Sequence, residues 1–536
     1  MIIDNVRLYD GHDYTQSELI YHVVLENGKI RAIEKGRTYE KGRHVADGKE
    51  RVLVPAFHDS HLHFLRYGLM KRELDLRHVT SWEHMKKEVQ TYYPKMEEGD
   101  WVVGRGLEDS AFTDHDSLLE AKDLDELHLH TYMFFLHQDG HECVVNHKVM
   151  DLLRKEEKFK NIPEDFKEKD DNGEWTGRFK DTAVHFIKHH FRNRSTEDAK
   201  DALAYGIPHL LKHGIVTIHS DDLNFIGSYD RLWDAYTSLE QEENLPIRVY
   251  LHHYIFDKRN LEDYLADHPF RTGEGTDQVK VGAVKIFLDG TQRLHTAAMR
   301  IQYRDREETS GNVVYTQEQL NEIVTLAGQN RMQVAMHAIG DRAVEQAITA
   351  LEQPDARTDL LRHRIIHAQT VGHDLLSRLE KLNAVIETQP SFLLSEWHKK
   401  EKWVGKDLLP LCDAFKSFMS RNIPFTLSSD LPIGSLNPFV GMFAAVNRTN
   451  LEGEPSGGWQ PQEKLTVDEA FRGYTSVPTL IELNENNNEG RLVKEERADF
   501  LLLDRHPLEV DIEKIHQIKV VETWSAGKKV YDIHQH

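Results

Sequence analysis

Short apolar runs, each ending in a polar cluster, recur eight times along the chain. Every run has the length of one β-strand, is rich in β-branched residues and is apolar almost throughout, as expected for strands buried on both faces. Segments with helical period separate most of them, for example Gln317 to Asn330 and Asp341 to Gln353. The runs are VLVPAFHDSHLH from Val52, GIVTIHSD from Gly214, IRVYLHHY from Ile247, VGAVKIFLDG from Val281, MQVAMHAIGD from Met332, HRIIHAQ from His363, NAVIETQP from Asn383 and IPFTLSSD from Ile423. A strand followed by a helix, repeated eight times, predicts a (β/α)8 TIM barrel of the α/β class.

The length of this region agrees with a single barrel that carries one insertion. Leu53 to Asp430 spans 378 residues, and removing the charge-rich stretch of 140 residues at 66–205 leaves 238. A typical barrel of this class has about 250 residues. We therefore place the barrel at 53–485, with an α/β insertion at about 66–205, after the first barrel strand. An open doubly wound sheet is the alternative fold, which is less favoured because no Gly-rich phosphate turn follows the first strand.

The two ends of the chain resemble each other. Residues 1–52 and 486–536 both contain short alternating strands joined by hairpin turns, Asn27-Gly28 in the first segment and Ala526-Gly527 in the second. Neither segment is long enough to bury a core alone. We expect them to pair into one small β-sandwich built from both termini.

Composition excludes several classes of protein. The net charge is −22, and an acidic chain is poorly suited to nucleic acid, which is held by clustered Lys and Arg. We expect no membrane-spanning segment, because no apolar run is long enough, and no secretory signal. Cys143 and Cys412 are the only cysteines, which fits a reducing cytoplasm. The expected partner is a small-molecule substrate, and homo-oligomer formation stays open.

Histidine is the unusual component, with 33 residues. His61 and His63 end the first predicted strand, and residues two apart on a strand face the same side. His337 and His367 end two later predicted strands. Each of these residues alone is more often structural than functional. Their shared place, at the carboxyl ends of barrel strands where barrel enzymes keep their active sites, makes them candidate ligands.

Lys285 lies within the apolar run AVKIFL. A buried ammonium without a partner would cost several kcal/mol. One reading is a lysine whose amine reaches the barrel rim. The other is a reactive neutral amine, which could form a Schiff base or take up carbon dioxide to give a carbamate that bridges two metals.

Asp430 ends the eighth predicted strand and completes the set. Histidines and carboxylates are ligands for Zn²⁺ or a similar divalent ion, present as one or two ions. Such an ion lowers the pKa of bound water towards about 7, which makes hydroxide available for attack. Asp430 is the candidate general base and acid, because a carboxylate beside that water can move its proton to the leaving group.

Five segments resemble the metal-ligand motifs of the amidohydrolase superfamily. They are VPAFHDSHLHF, VKIFLDGT, MHAIGDRAV, RIIHAQ and SSDLP. Further segments, including DGHECVVN, TGRFKDTAV and FVGMFAAVNR, resemble those of its YtcJ-like branch, to which N-substituted formamide deformylases belong. The resemblance covers nearly the whole chain and implies the barrel with its two-part sandwich. It also implies that His61 and His63 bind one metal, that a carboxylated Lys285 bridges, that His337 and His367 bind a second metal, and that Asp430 is both ligand and proton shuttle.

Four further residues are candidates for substrate binding. Asp139 and His141 lie in the insertion, which could fold over the barrel mouth as a lid, although an ordinary Asp-Gly turn is an equal alternative. His219 ends the second predicted strand. Asp289 follows the fourth and either contacts substrate or accepts a hydrogen bond from a metal ligand.

These residues together predict a metal-dependent hydrolase that cleaves a C–N bond of a small molecule, in an amide or an N-acyl or N-formyl group. A deaminase or a lactonase on the same site is the alternative within metal enzymes. A non-catalytic metabolite-binding relative and an aldolase-type Schiff-base enzyme complete the alternatives.

Overall fold

The computed structural model describes most of the chain. The described residues are 1–14, 18–38, 44–92, 99–115, 117–127, 130–137, 142–160, 162, 164–180, 182–192, 195–483 and 490–535. They divide into two compact units, one of Met1–Phe64, Leu203–Asn224 and Tyr229–His536, the other of Leu65–Ala202 with Phe225–Ser228.

Eight parallel strands form the central sheet of the first unit, and each pairs with its neighbours in chain order. We number them barrel strands 1 to 8. They are Phe57–Leu62, Ile215–Ser220, Arg248–Tyr254, Val279–Phe287, Val334–Ala338, Arg364–His367, Val385–Thr388 and Phe425–Leu427. All but the last two residues of strand 3 and single positions of strand 4 are buried, as the continuous apolar runs predicted. The α/β barrel fold is confirmed.

Strands 8 and 1 approach each other and nearly close the sheet. The backbone N–H of Asp430 donates to the carbonyl of His61 at 2.9 Å, and the hydroxyls of Ser60 and Thr426 lie 2.7 Å apart. This closure brings the residue after strand 8 to the histidines of strand 1, 369 residues earlier in the chain.

Helices lie between these strands and after them, and the first of these helices begins in the second unit and ends in the first. They are Thr196–Lys212, Tyr229–Gln241, Lys258–Asp267, Gln317–Gln329, Asp341–Leu351, Thr358–Leu361, His373–Leu379, Leu393–Trp403, Phe415–Ser420, Pro438–Asn447 and Val467–Gly473. Thr316 and Gln319 start one of the predicted helices with a reciprocal capping box, which satisfies two of its free N–H groups.

The predicted first strand is in fact two strands. Val52–Pro55 pairs with Ile2–Leu8 and Phe500–Leu503, whereas barrel strand 1 begins at Phe57. Both strands are fully buried, and no turn marks the change of sheet at Ala56, so the sequence pattern did not separate them.

Both chain ends contribute to one eight-stranded sheet. Its strands, in spatial order, are Lys528–Asp532, Val520–Ser525, Phe500–Leu503, Val52–Pro55, Ile2–Leu8, Tyr21–Glu26 and Lys29–Lys35, and Val45–Asp47 also pairs with Ile2–Leu8. One apolar cluster draws on both ends, with Val6 and Leu25 from the first and Phe500 and Trp524 from the last. Both chain ends thus share one sheet and one apolar cluster, and the separate β-sandwich domain stays a prediction.

The second unit has a six-stranded sheet of its own. Its order is Lys167–Lys169, Trp175–Lys180, Glu142–Val145, Tyr132–His137, Trp101–Leu107 and Leu74–Asp75. Its helices are Trp82–Tyr92, Ala121–Leu127, His147–Leu153, Glu157–Lys160 and Thr182–Arg192, and Phe64–Arg72 leads into it. Two apolar clusters, one including Phe159 and Phe179 and the other Trp82 and Phe135, make this insertion a packed α/β unit.

No described helix is both long and apolar enough to span a bilayer.

Candidate metal centre

Three predicted ligands converge on one point at the end of the barrel. The Nε2 atoms of His61 and His63 lie 3.5 and 3.3 Å from the same oxygen, Oδ1 of Asp430. The ligand atoms of all three residues are within 4.8 Å of one another. His61 and His63 share a face because they stand two positions apart, and Asp430 reaches them through its backbone bond to the carbonyl of His61.

These spacings are those of ligands around a common cation. Two atoms that each lie about 2.0–2.2 Å from a tetrahedral Zn²⁺ are about 3.4 Å apart. N–H···O hydrogen bonds are shorter, typically about 2.7–3.2 Å. Nδ1 of His61 and Oδ1 of Asp430 are buried and have no hydrogen-bond partner among the described residues. The arrangement therefore fits a divalent metal better than a hydrogen-bonded cluster.

Other groups fix the rings of two of the histidines. Nδ1 of His63 is 2.5 Å from the carbonyl oxygen of Asp221, and Nδ1 of His367 is 2.7 Å from Oε1 of Gln389. Metal-binding histidines are commonly oriented by a bond at the second ring nitrogen. In both residues Nε2 is the atom left to face the centre.

His337 and His367 lie beside this cluster. Their ring centroids are 4.6 Å apart, and that of His367 is 5.8 Å from that of His61. Nε2 of His337 is 3.1 Å from the carbonyl oxygen of Gly290 and 3.4 Å from Oδ1 of Asp289. The structure thus brings all four predicted histidines to the same end of the barrel.

Lys285 is completely buried in barrel strand 4 and does not reach the rim. Its Nζ lies 3.8 Å from Oδ2 of Asp221 and 4.6 Å from the centre of the Phe287 ring. In the part of the chain that the structure describes, this nitrogen and both Asp221 carboxylate oxygens lack a hydrogen bond. Burial lowers the pKa of Lys285, which favours the neutral, reactive amine.

Three of the four histidines have lowered pKa values, which favour the neutral ring that binds a metal. Burial, together with neighbouring cationic groups, holds the pKa of His61 and His337 well below the usual range, and burial lowers that of His367 to about 4. Burial also disfavours charge on His63, but the Asp430 carboxylate outweighs it and raises the pKa of His63. Conversely, burial disfavours the Asp430 carboxylate, but its cationic neighbours outweigh that cost and lower the pKa of Asp430. Burial therefore favours neutral imidazoles at His61, His337 and His367, whereas at His63 the anionic Asp430 favours the protonated ring.

Backbone strain occurs at two of these residues. His367 has φ of 77° and Asp430 has φ of 50°, in the left-handed region that residues other than glycine rarely adopt. Such conformations cluster at functional sites, where the surrounding structure compensates for their cost.

The four candidate substrate residues have different surroundings. Asp139 and His141 lie outside the described residues. The fully buried His219 stacks on Tyr250 at 4.4 Å, and its Nδ1 is 3.1 Å from Nη1 of Arg364.

Asp289 is bound from three sides. Its carboxylate accepts backbone N–H bonds from Ala298, Ile339 and Gly340 at 2.9–3.0 Å. Burial raises the pKa of Asp289 to about 7, against the effect of these three donors. The contact with His337 corresponds to the alternative role for Asp289, that of a group beside a metal ligand.

Sequence reasoning missed Asp221 and Gln389. Both follow predicted strands directly, Asp221 after barrel strand 2 and Gln389 after strand 7. Their position at strand ends was a usable signal. Their contacts with Lys285 and His367, however, join residues from other strands and cannot be read from local pattern.

Known proteins are similar to this chain in sequence and in fold. The profile of the amidohydrolase family matches residues 44–531. The protein YtcJ of Bacillus subtilis (strain 168) is 28% identical over 484 residues, which cover 90% of this chain and 89% of YtcJ. An N-substituted formamide deformylase from Arthrobacter pascens is 26% identical over 261 residues, 47% of this chain and 46% of the deformylase. The crystal structure of an uncharacterized metal-dependent hydrolase from Pyrococcus furiosus superposes with a TM-score of 0.77 at 26% identity, covering 95% of this chain and 99% of that one.

The barrel, the donor cluster at its strand ends and these similarities define a metal-dependent hydrolase. The chain belongs to the amidohydrolase family, whose profile matches most of its length.

Proposed function

We propose that this hydrolase cleaves a C–N bond of a small molecule, in an amide or in an N-acyl or N-formyl group. The observation that carries the proposal is the Asp430 carboxylate, one oxygen of which lies 3.5 and 3.3 Å from the Nε2 atoms of His61 and His63. A carboxylate in this position can bind the metal and can also accept and donate a proton. The similarity to a protein named for formamide deformylation supports the choice of bond.

Six residues would hold the metal: His61, His63, Lys285, His337, His367 and Asp430. We propose Zn²⁺, as one or two ions, and a carbamate on Lys285, which would turn a buried amine that has no hydrogen bond to any described residue into an anionic ligand. When bound, the ion supplies Lewis acidity, which acidifies water and polarises the carbonyl.

Asp430 then carries the proton through the reaction. Its carboxylate accepts a proton from the attacking water while the water oxygen bonds to the carbonyl carbon. The same group returns that proton to the nitrogen as the C–N bond breaks, so that the products are an acid and an amine. The lowered pKa of Asp430 keeps it an acceptor at neutral pH.

Substrate contacts belong to the proposal as well. Asp139, His141, His219 and Asp289 are the proposed binding residues, with Asp289 acting through His337, 3.4 Å away. A small molecule is the proposed partner, in keeping with the net charge of −22, which disfavours nucleic acid.

The test is a substrate panel on the zinc-loaded protein with Asp430→Asn beside it. We expect hydrolysis of N-formyl or N-acyl amines, and a loss of about 10²- to 10⁴-fold in kcat for the variant, the usual contribution of a general acid–base group. Asp171→Asn, on an exposed position of the second unit, is the matched control and should keep full activity.

Each other outcome contradicts the proposal in a different way. Release of ammonia from ring amines without amide cleavage would indicate a deaminase, and acid release from lactones alone a lactonase. Trapping of substrate by borohydride would indicate a Schiff base at Lys285. Metabolite binding without any turnover would indicate a non-catalytic relative.

A further inference from the structure

A second cluster of metal-type donors lies within the insertion. His78, His84 and Glu88 each offer one ligand atom, and these atoms are all within 4.8 Å of one another. The barrel centre uses none of these residues. The 33 histidines of the sequence therefore include a second group whose ring nitrogens lie close to a carboxylate.

Local structure explains how two of the three meet. His84 and Glu88 stand four positions apart on the helix Trp82–Tyr92, and residues with this spacing are neighbours on one helix face. The helix is anchored on its other side, because Trp82 and Met85 are buried in an apolar cluster. The His84–Glu88 face is thereby turned outwards.

His78 comes from the loop that precedes the helix. This loop leaves the short strand Leu74–Asp75 and runs to Ser81. The His78 and His84 rings are 5.4 Å apart between centroids, with an angle of 69° between their planes. The donor set thus spans two segments of chain, which is how a metal acts as a cross-link.

The distances match those of the barrel centre. Nε2 of His78 and Nε2 of His84 each lie 3.5 Å from the same carboxylate oxygen, Oε1 of Glu88. Both separations exceed the usual range for N–H···O bonds and agree with the spacing of about 3.4 Å for two ligands of a tetrahedral Zn²⁺. Side-chain exposures of 55%, 37% and 34% leave the site open to water.

We propose that His78, His84 and Glu88 bind one Zn²⁺ at the surface of the insertion, independently of the barrel centre. Two imidazoles and one carboxylate suit zinc, and water takes the fourth position. Asp75 is not a candidate for that position, because its carboxylate is held by Arg77. The ion would fasten the loop at His78 to the helix and so stabilise this part of the insertion, without a role in hydrolysis.

The test compares zinc stoichiometry in the full-length protein. We expect the wild type to bind one more equivalent of Zn²⁺ than the double variant His78→Ala/His84→Ala, as measured by competition with a chromophoric chelator. Glu88→Gln keeps the shape of the side chain and removes its charge, and should weaken the same equivalent by at least tenfold. Lys87→Ala, at an exposed position of the same helix, is the control and should match the wild type.

A second measurement separates zinc binding from damage to the fold. Added Zn²⁺ should raise the thermal unfolding midpoint of the wild type by more than that of Glu88→Gln, whereas the two proteins without metal should unfold at similar temperatures. Equal stoichiometry in the wild type and in both variants, or zinc shifts that do not depend on Glu88, would overturn the proposal. Failure of the hydrolase assay would leave these results unaffected, because hydrolysis is not measured here.

Discussion

Two donor clusters of the same chemical type occupy different environments in this protein. At the barrel end, His61 and Asp430 are buried and His63 is half-buried, whereas on the insertion His84 and Glu88 are half-buried and His78 is exposed. The shared oxygen of each carboxylate lies 3.3–3.5 Å from the Nε2 atoms of the two histidines in both cases. Spacing alone therefore does not separate a reaction centre from a structural site.

Burial makes the difference, through its effect on charge and on hydrogen bonds. The buried centre is accompanied by Lys285, whose pKa burial lowers, and by rings that Gln389 and a backbone carbonyl orient. Excluding water strengthens electrostatic interactions. A carboxylate such as Asp430 therefore interacts more strongly with the reacting charges there than it would in water. The exposed cluster is open to water. It can bind a metal ion, but solvent would screen the charge of that ion.

The sharpest test of this comparison is Lys285→Ala. Removing the buried amine should abolish the proposed carbamate, and with it at least one bound metal equivalent and nearly all activity. Short carboxylic acids should restore part of the activity, because they replace the missing anion in the space that the side chain leaves. Metal analysis and kinetics with and without added acetate or propionate are the measurements.

The surface cluster is the internal control for that variant. Zinc bound by His78, His84 and Glu88 should remain when Lys285 is replaced. An unchanged total metal content in Lys285→Ala would refute the role of Lys285 as a ligand. Loss of all zinc would instead indicate that the variant has lost its fold.

A smaller effect is expected for Gln389→Met. Nδ1 of His367 lies 2.7 Å from Oε1 of Gln389, and removing an outer partner of this kind typically costs about 10- to 100-fold in metal affinity or activity. Zinc affinity of the barrel centre, measured by chelator competition, should fall by that amount while the fold persists. Gln353→Met is the control. Among the described residues, the Gln353 side chain donates only to the carbonyl of Thr349, so this variant should leave the zinc affinity unchanged.

The mildest intervention is a chelator, which leaves the sequence untouched. Zinc at the exposed cluster should be removed quickly, whereas zinc at the buried centre should leave slowly, because its donors are shielded from water. Following zinc content and hydrolysis over time should show one fast loss without effect on activity, then a slow loss that parallels inactivation. A single phase with simultaneous inactivation would mean that the two clusters do not differ in the way proposed.

Much of the barrel could be predicted because the signal is local. A parallel strand buried on both faces must be apolar along its length, and this pattern marked the barrel strands and placed His61, His337 and His367 at strand ends. The strand boundaries could not be predicted where two buried strands follow each other directly. VLVPAFHDSHLH predicts one strand because no turn interrupts it, yet Val52–Pro55 and Phe57–Leu62 belong to different sheets.

In the insertion, local composition also failed to predict the structure, here by hiding a helix and a strand in a charged segment. Residues 155–175 are highly charged, a composition that by itself favours a surface loop. The structure places a short helix, Glu157–Lys160, and the strand Lys167–Lys169 there. Phe159 is buried against Phe179 and Trp175 in a core that only the folded insertion creates.

The sequence by itself determined the α/β class, the order of the barrel strands and the donors at their ends, because strand periodicity and residue chemistry are properties of short segments. Only the tertiary structure decided which donors meet. Asp221 comes within 3.8 Å of Lys285, 64 residues later, and His78 comes to share one oxygen of Glu88 with His84. Such distances depend on how strands and helices pack together, and neither periodicity nor composition encodes them.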